Sequence, residues 1–358
     1  MKKSTTMLAA ISLAATFTTA MVTPSTSADT KACFIYVGPT GDFGWSYQHD
    51  EGRKAAEKEL GIETAFLESV PEGSDAGRAI ERFARSGCNV IFTTSFGYMD
   101  ATNKVAKKFP KVKFEHATGY KRDSDNVSTY SSKFYEGRYV IGQMAAKVSK
   151  TGIAGYIASF PIPEVVRGIN AFTLGAQSVN PDFKLKVIWV NTWFDPGKES
   201  DAAKTLIDQG ADILTQHTDS TAPMQVAAER GVFAFGQASD QIKFGPKTQM
   251  TAIIDNWADY YIARIKAVMD GTWESKDTWG GMDAEMVHMA PITNVPADVK
   301  SMAEATMAKI KSGELDPFAG PITKQDGSEW LKAGQNAEIG TLLGMNFYVK
   351  GVDDKLPN

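Results

Sequence analysis

The sequence predicts an α/β protein built from two doubly wound units. Three observations predict it: short strands that are apolar along their whole length, amphipathic helices between them, and a second run of the same alternation after the first. A strand that is apolar on both faces must be covered on both, which means a parallel sheet between helix layers.

The first set of strands is expected over 33–37, 64–67, 89–94, 113–117 and 128–132, the second over 155–159, 186–191, 212–216, 232–235 and 251–254. Between strands of the first set, Ser74-Asp75 caps a run with Ala76, Ile80, Phe83 and Ala84 on one face, and Gly87 ends it. In the second set one helix spans 163–179. Another spans 197–209, with Asp195 as cap, Pro196 in the first turn, Ala202, Ala203, Leu206 and Ile207 inward and Gly210 as stop. A helix over 257–269, a strand over 285–290 and an amphipathic helix carrying Val299, Met302, Ala303, Thr306 and Ile310 on one face follow. The stretch 313–358, with turns at Gly320-Pro321 and Asp326-Gly327, reads as packing. The expected division is a leader over 1–28, one lobe over 29–149 and 250–284, and a second lobe over 150–249 and 285–358.

The leader rests on Lys2 and Lys3, an apolar small-residue run over 7–22, and Thr26-Ser27-Ala28 as cleavage site. Cys33 lies beyond that site, so a soluble periplasmic protein without a lipid anchor is expected. The chain carries 38 basic and 42 acidic side chains, net −4, which argues against nucleic acid and anionic membranes as partners. Its two cysteines, Cys33 and Cys88, open short apolar strands that could lie side by side; a bridge and two buried thiols both remain open.

Chemistry concentrates in loops at strand ends. Gly38, Gly41 and Gly44 punctuate a loop feeding a helix, a near-miss of the dinucleotide fingerprint with Glu68 in the place of its ribose acid. The spacing is wrong and Pro39 sits inside the turn, so no cofactor is expected. No G-x-S-x-G elbow occurs, and His49, His116, His217 and His288 lack a second ligand at metal spacing, so no enzyme is expected. His217 ends a strand of the second unit, on the side where a cleft would lie. Trp45 and Trp193 each follow a strand-to-helix switch, one in each unit. They are either core fillers or the two jaws of a clamp on a flat heterocycle.

The ordered motifs DFGWSYQHDEGRKAAEKE, GCNVIFTTSFGYMDA, KFYEGRYVIGQMAAKV, FPIPEVVRGINAFTLGAQSVNP, GADILTQHTD and GQASDQ resemble the basic membrane protein family of ABC-importer substrate-binding proteins, relatives of purine nucleoside receptors. The resemblance covers 32–355. It implies a type I periplasmic-binding fold of two Rossmann-like domains, a purine held between aromatic side chains, and an ABC permease in the inner membrane as partner. A monomer is expected. Carried across, Trp45 and Trp193 become the stacking aromatics, Asp42 and Ser46 meet the base edge with Phe43 beside them, and Tyr135 opens a site helix.

The departures from the family pattern shape the expected ligand. Ala238 stands where nucleoside-binding members have an acid, Asp255 where they have a lysine, and His217-Thr218-Asp219 replaces a small glycine-rich turn. Unpaired buried polar groups cost about 1–3 kcal/mol each, so a pocket rebuilt this way is not for the same sugar. The expectation is a free purine base such as adenine, with Asp240 or Asp255 accepting an N–H. The alternatives are a nucleoside, or a receptor that reports to a signalling partner.

Overall fold

The computed structural model describes residues 30–357, and the expected leader over 1–28 lies outside them. The chain opens with β1 (Lys31–Ile35), α1 (Trp45–Leu60), β2 (Glu63–Leu67), α2 (Ser74–Arg85), β3 (Val90–Thr93), α3 (Met99–Ala106), β4 (Lys113–Ala117) and β5 (Val127–Ser132). It continues with α4 (Tyr135–Val148), β6 (Ile153–Ala158), α5 (Pro163–Gln177), β7 (Lys184–Trp189), α6 (Pro196–Asp208), β8 (Ile213–His217), α7 (Ala222–Arg230), β9 (Phe233–Gly236) and β10 (Gln249–Asp255). Then come α8 (Ala258–Met269), β11 (Asp277–Gly280), β12 (Val287–Met289), α9 (Ala297–Lys311), β13 (Ile322–Thr323), β14 (Glu329–Leu331) and α10 (Ile339–Leu343).

Two six-stranded sheets result. The first has the order β11-β5-β4-β3-β1-β2 and is parallel throughout. The second has the order β12-β10-β9-β8-β6-β7 and is parallel except for β12, which runs against β10. The α6 cap forms as the sequence predicts: Asp195 accepts the Lys198 amide at 3.0 Å.

The chain crosses between sheets three times, after β5, after β10 and after β11. The expected lobe boundaries shift accordingly. Residues 249–255 form β10 in the second sheet, so only the stretch after Asp255 returns to the first. Helix α4, expected with the first lobe, packs on α5 of the second. A Cβ at Gly142 would lie 2.1 Å from the Phe172 carbonyl oxygen, and one at Gly175 2.1 Å from that of Tyr139, so only glycine permits this backbone approach. Strand β11 carries no clear apolar run; it adds to the edge of the first sheet through β5. The C-terminal stretch packs on the second lobe, where Asn170 grips the backbone of Phe347 and Val349.

Cys33 in β1 and Cys88, just before β3, are joined with Cα atoms 6.0 Å apart, which settles the alternative the sequence left open. Their separation of 55 residues corresponds to about 4 kcal/mol in the chain-entropy treatment of loop closure. The double variant Cys33→Ala/Cys88→Ala is expected to unfold about 2–5 kcal/mol more easily in urea than the parent. An unchanged midpoint would show that the bridge does not stabilise the first lobe.

Candidate functional site

A narrow interlobe slot lies where the carboxyl ends of both sheets face each other, the usual ligand position for doubly wound folds. The first lobe contributes Val37 after β1, Trp45 opening α1, Ser95 and Phe96 after β3, and Thr118 after β4. The second contributes Glu164 in the first turn of α5, Trp193 after β7, His217 and Asp219 around the end of β8, and Gln237 after β9.

Trp45 is held rigidly. Its Nε1 donates to the Thr94 carbonyl at 2.6 Å. Behind it, the His49 imidazole and the Trp257 indole stack on each other at 4.8 Å, and each meets Trp45 edge-to-face. Trp193 packs on Phe160 with centroids 5.2 Å apart, and its carbonyl accepts the Asp219 amide at 2.9 Å. Glu199 fastens the neighbouring loops together, accepting the Asp195 amide with one oxygen and the Ser220 amide and hydroxyl with the other. The Trp193 Nε1 has no hydrogen-bond partner among the described residues.

The second-lobe wall carries two carboxyl groups whose pKa burial raises. Burial, then the nearby Asp42 and Glu199, pushes the Asp219 carboxyl well above its ordinary range. Burial also raises Glu164, against the pull of Arg167 and Arg138. His217 goes the other way: burial and the same two guanidinium groups hold it well below its usual value, so its imidazole is neutral. Its Nε2 lies 4.0 Å from Glu164 and its Nδ1 3.4 Å from the Tyr156 hydroxyl, so the Glu164 contact is not an ion pair. Below the slot, the buried Arg138 guanidinium joins Thr215, the Gln216 carbonyl and Gln237.

The lobes touch across the slot. The Trp45 amide meets Asp219 Oδ1 at 3.3 Å, and a Cβ on Gly44 would lie 2.6 Å from the Asp219 carbonyl oxygen, so glycine is needed here. Phe43, at φ 57°, presents its carbonyl to the hydroxyl of Ser239 and to Nε2 of Gln241. Its ring meets Phe244 at 5.1 Å, with the Lys243 ammonium 3.5 Å from the ring centre.

The structure thus brings Trp45, Trp193 and His217 together and places the other expected site residues elsewhere. Asp42 accepts the amides of Gly44, Ser46 and Tyr47 and so anchors the start of α1; burial raises it to about 6 despite those bonds. Ser46 is fully buried and accepts the Gly38 amide. Phe43 joins the lobes. Tyr135 is buried against Trp279 and Phe318. Asp240 is exposed and accepts the Ile242 amide and the Gln249 side chain. Asp255, at the second crossing, accepts the Ser132 hydroxyl of the first crossing at 2.7 Å. Local sequence patterns give no sign of Phe96, Glu164 or Gln237 as slot residues, although each follows a strand that the sequence shows, and Asp219 enters only through the turn that departs from the family pattern.

Two doubly wound lobes, three crossings and a slot between facing strand ends define a two-lobed ligand-binding protein of the type I periplasmic-binding fold. Residues 29–316 match the family described as Bmp, ABC transporter substrate-binding protein PnrA-like, and the chain belongs to that family. It is 69% identical over 329 residues to the purine-binding protein of Brucella abortus (strain 2308), covering 91% of this chain and 94% of that one. It is 37% identical to a Haloferax volcanii protein assigned provisionally as an ABC transporter glucose-binding protein, covering 94% and 83% of the two chains. Among solved structures, an ABC transporter solute-binding protein from Aeropyrum pernix K1 matches with TM-score 0.71 at 21% identity, over 80% of this chain and 92% of that one.

Asp255 has a consequence for stability. Burial raises its carboxyl to about 8, well above the unfolded value near 4. The folded state therefore holds a proton that the unfolded state releases, and this group's contribution is lost as pH rises from about 4 through about 8. Asp255→Asn keeps an acceptor for Ser132 and removes the titration. It is expected to flatten the fall of folding stability between pH 5 and 8, by at most about 1.4 kcal/mol per pH unit. Urea unfolding across that range is the measurement, and an unchanged slope would place the titrating group elsewhere.

Proposed function

We propose that this protein is an exported receptor of an ABC importer that captures a free purine base, adenine-like, between Trp45 and Trp193. The observation that carries the reading is the presence of these two indoles, one from each lobe, in a single slot whose remaining wall mixes polar side chains with Val37 and Phe96. A planar heterocycle presents two faces for stacking and an edge of alternating donors and acceptors. Burial raises the pKa of Glu164 and Asp219, and a carboxyl that holds its proton both donates and accepts, matching such an edge without a buried charge. Gln237 and neutral His217 add further partners. The 69% identical Brucella relative, named for purine binding, supports the same class of ligand.

Preference for the base over the nucleoside is supported at two positions. Ala238 is buried and apolar, and Asp255 is committed to Ser132 at the hinge. Neither offers the ribose-holding groups of nucleoside-binding relatives. Export to the periplasm is supported by the leader sequence and by the Cys33–Cys88 bridge, since disulfides persist in oxidising compartments. Closure around the ligand would present a joined surface to a permease, with the protein acting as a monomer.

Calorimetry with adenine, guanine, hypoxanthine, adenosine and inosine tests the reading, with adenine expected to bind more tightly than adenosine. Trp193→Ala is expected to weaken adenine binding by about 1–3 kcal/mol, the contribution of one stacked aromatic, with little change in the unfolding temperature of the free protein. Tighter adenosine binding would overturn the base preference. Equal losses of binding and stability would make Trp193 a packing residue.

A further inference from the structure

Gln237 lines the slot from the loop after β9, and its side-chain amide has two unlike ends. The oxygen accepts hydrogen bonds and the NH₂ group donates them, so the end that faces a ligand decides what the ligand must present. A free glutamine can turn either end outward. Here one end is claimed. Arg138 of α4 is fully buried below the slot, and its Nη2 donates to Gln237 Oε1 and, at 2.6 Å, to the Gln216 carbonyl. A guanidinium carries five N–H donors and no acceptor, so it can hold only the oxygen end of an amide. The NH₂ end of Gln237 is what remains for the slot.

Arg138 is itself fixed. Its Nη1 donates to Thr215 Oγ1 at 2.8 Å, and its Cζ lies 4.9 Å from the Phe134 ring centre and 5.1 Å from that of Tyr156. The other glutamines nearby are committed to the protein. Nε2 of Gln216 donates to the Thr218 and Ser220 carbonyls, that of Gln241 to the Phe43 carbonyl, and that of Gln249 to Asp240. Gln237 Nε2 has no partner among the described residues, on a side chain that is buried at the slot wall. A group entering the slot is therefore asked to accept from it.

We propose that Arg138 is a positioning residue for ligand selection: it locks the Gln237 amide as a donor, so the slot requires an unprotonated ring nitrogen or a keto oxygen on the edge of the heterocycle that meets Gln237. The inference rests on the purine reading of the slot. An amino group or a ring N–H at that place would set donor against donor. The amide cannot turn to relieve this without taking its oxygen from a buried guanidinium.

Calorimetry with adenine and its 1-deaza, 3-deaza and 7-deaza analogues is the test, since each analogue replaces one ring acceptor by C–H and no orientation of the ring is presupposed. At least one analogue is expected to bind the parent at least about tenfold more weakly than adenine. In Gln237→Met that analogue and adenine are expected to bind within about threefold of each other, because the parent's discrimination is a coupling between that ring atom and Gln237. Arg138→Met is expected to shrink the same ratio at least about threefold, and Arg138→Lys, which keeps a donor for Oε1, to restore most of it. A ratio unchanged in Arg138→Met, with adenine and analogue weakened alike, would make Arg138 a structural residue and overturn its positioning role. Should that variant fail to fold, Gln237→Glu keeps an oxygen toward Arg138 and puts a second oxygen where the NH₂ stood. It is expected to weaken adenine at least about thirtyfold, and parent-like affinity would overturn the proposal. So would the absence of any deaza penalty that depends on Gln237, with the purine reading left standing. Failure of adenine to bind the parent would remove the purine reading, and this inference with it.

Discussion

The geometry of the whole molecule depends on the hinge, where a buried carboxyl ties one crossing to another. Ser132 ends the last strand before the first crossing and Asp255 ends the last strand before the second; their 2.7 Å hydrogen bond fixes the two exits side by side. Glu136, just inside α4, performs the same service for the third crossing by accepting the Met282 amide at 2.7 Å. The Lys133 amide adds a backbone bond to the Gly280 carbonyl. Burial raises Asp255 to about 8 and Glu136 to about 7, so near neutral pH Asp255 is mostly neutral and Glu136 carries about half its charge. With the crossings laced in this way, the carboxyl ends of the two sheets face each other, and the slot follows from that placement.

The far side of the slot is secured by different means. Phe43 takes a left-handed backbone conformation, uncommon for an aromatic residue, and this turns its carbonyl toward the second lobe. Ser239 and Gln241 both donate to it, and Lys243 and Phe244 cover the ring. The GQASDQ motif therefore serves closure here. Gly44 allows the two backbones to meet at Asp219, and the Trp45 amide bonds to the Asp219 carboxyl. Trp45 is thus positioned in part by contact with the other lobe, so under the proposed clamp ring capture would be coupled to lobe closure.

Much of the architecture was legible from apolar runs, because strands buried on both faces leave an unambiguous signature. The lobe boundaries were less so. Helix α4 follows directly from a first-sheet strand in sequence, and its allegiance to the second lobe is decided by the Gly142 and Gly175 approach to α5, a long-range fit that no local pattern reveals. Strand β11 reads as Asp-Thr-Trp-Gly and becomes a strand only because the β5 edge is there to pair with. In the site, the indoles were legible because large aromatics in loops need something to pack on. The acids are harder to read for a physical reason: Asp42, Asp240 and Asp255 sit near strand ends as ligand-binding acids do, but amides and a glutamine side chain occupy Asp42 and Asp240, and Asp255 gives one oxygen to Ser132 while the other has no partner among the described residues.

That competition for carboxyl groups explains which acids remain for a ligand. Asp42, with three amide donors on its two oxygens, has its strongest acceptor positions filled. Glu199 is likewise consumed by Asp195 and Ser220. Glu164 and Asp219 differ: both line the slot, and the only hydrogen bond either receives among the described residues is the long one from the Trp45 amide. Burial raises the pKa of both carboxyls. A ligand that supplies hydrogen bonds to them replaces water, whereas one that supplies none leaves two polar groups stranded. Under the proposed purine clamp, discrimination rests on the edge of the ring, and the stacking faces contribute affinity without telling one planar heterocycle from another.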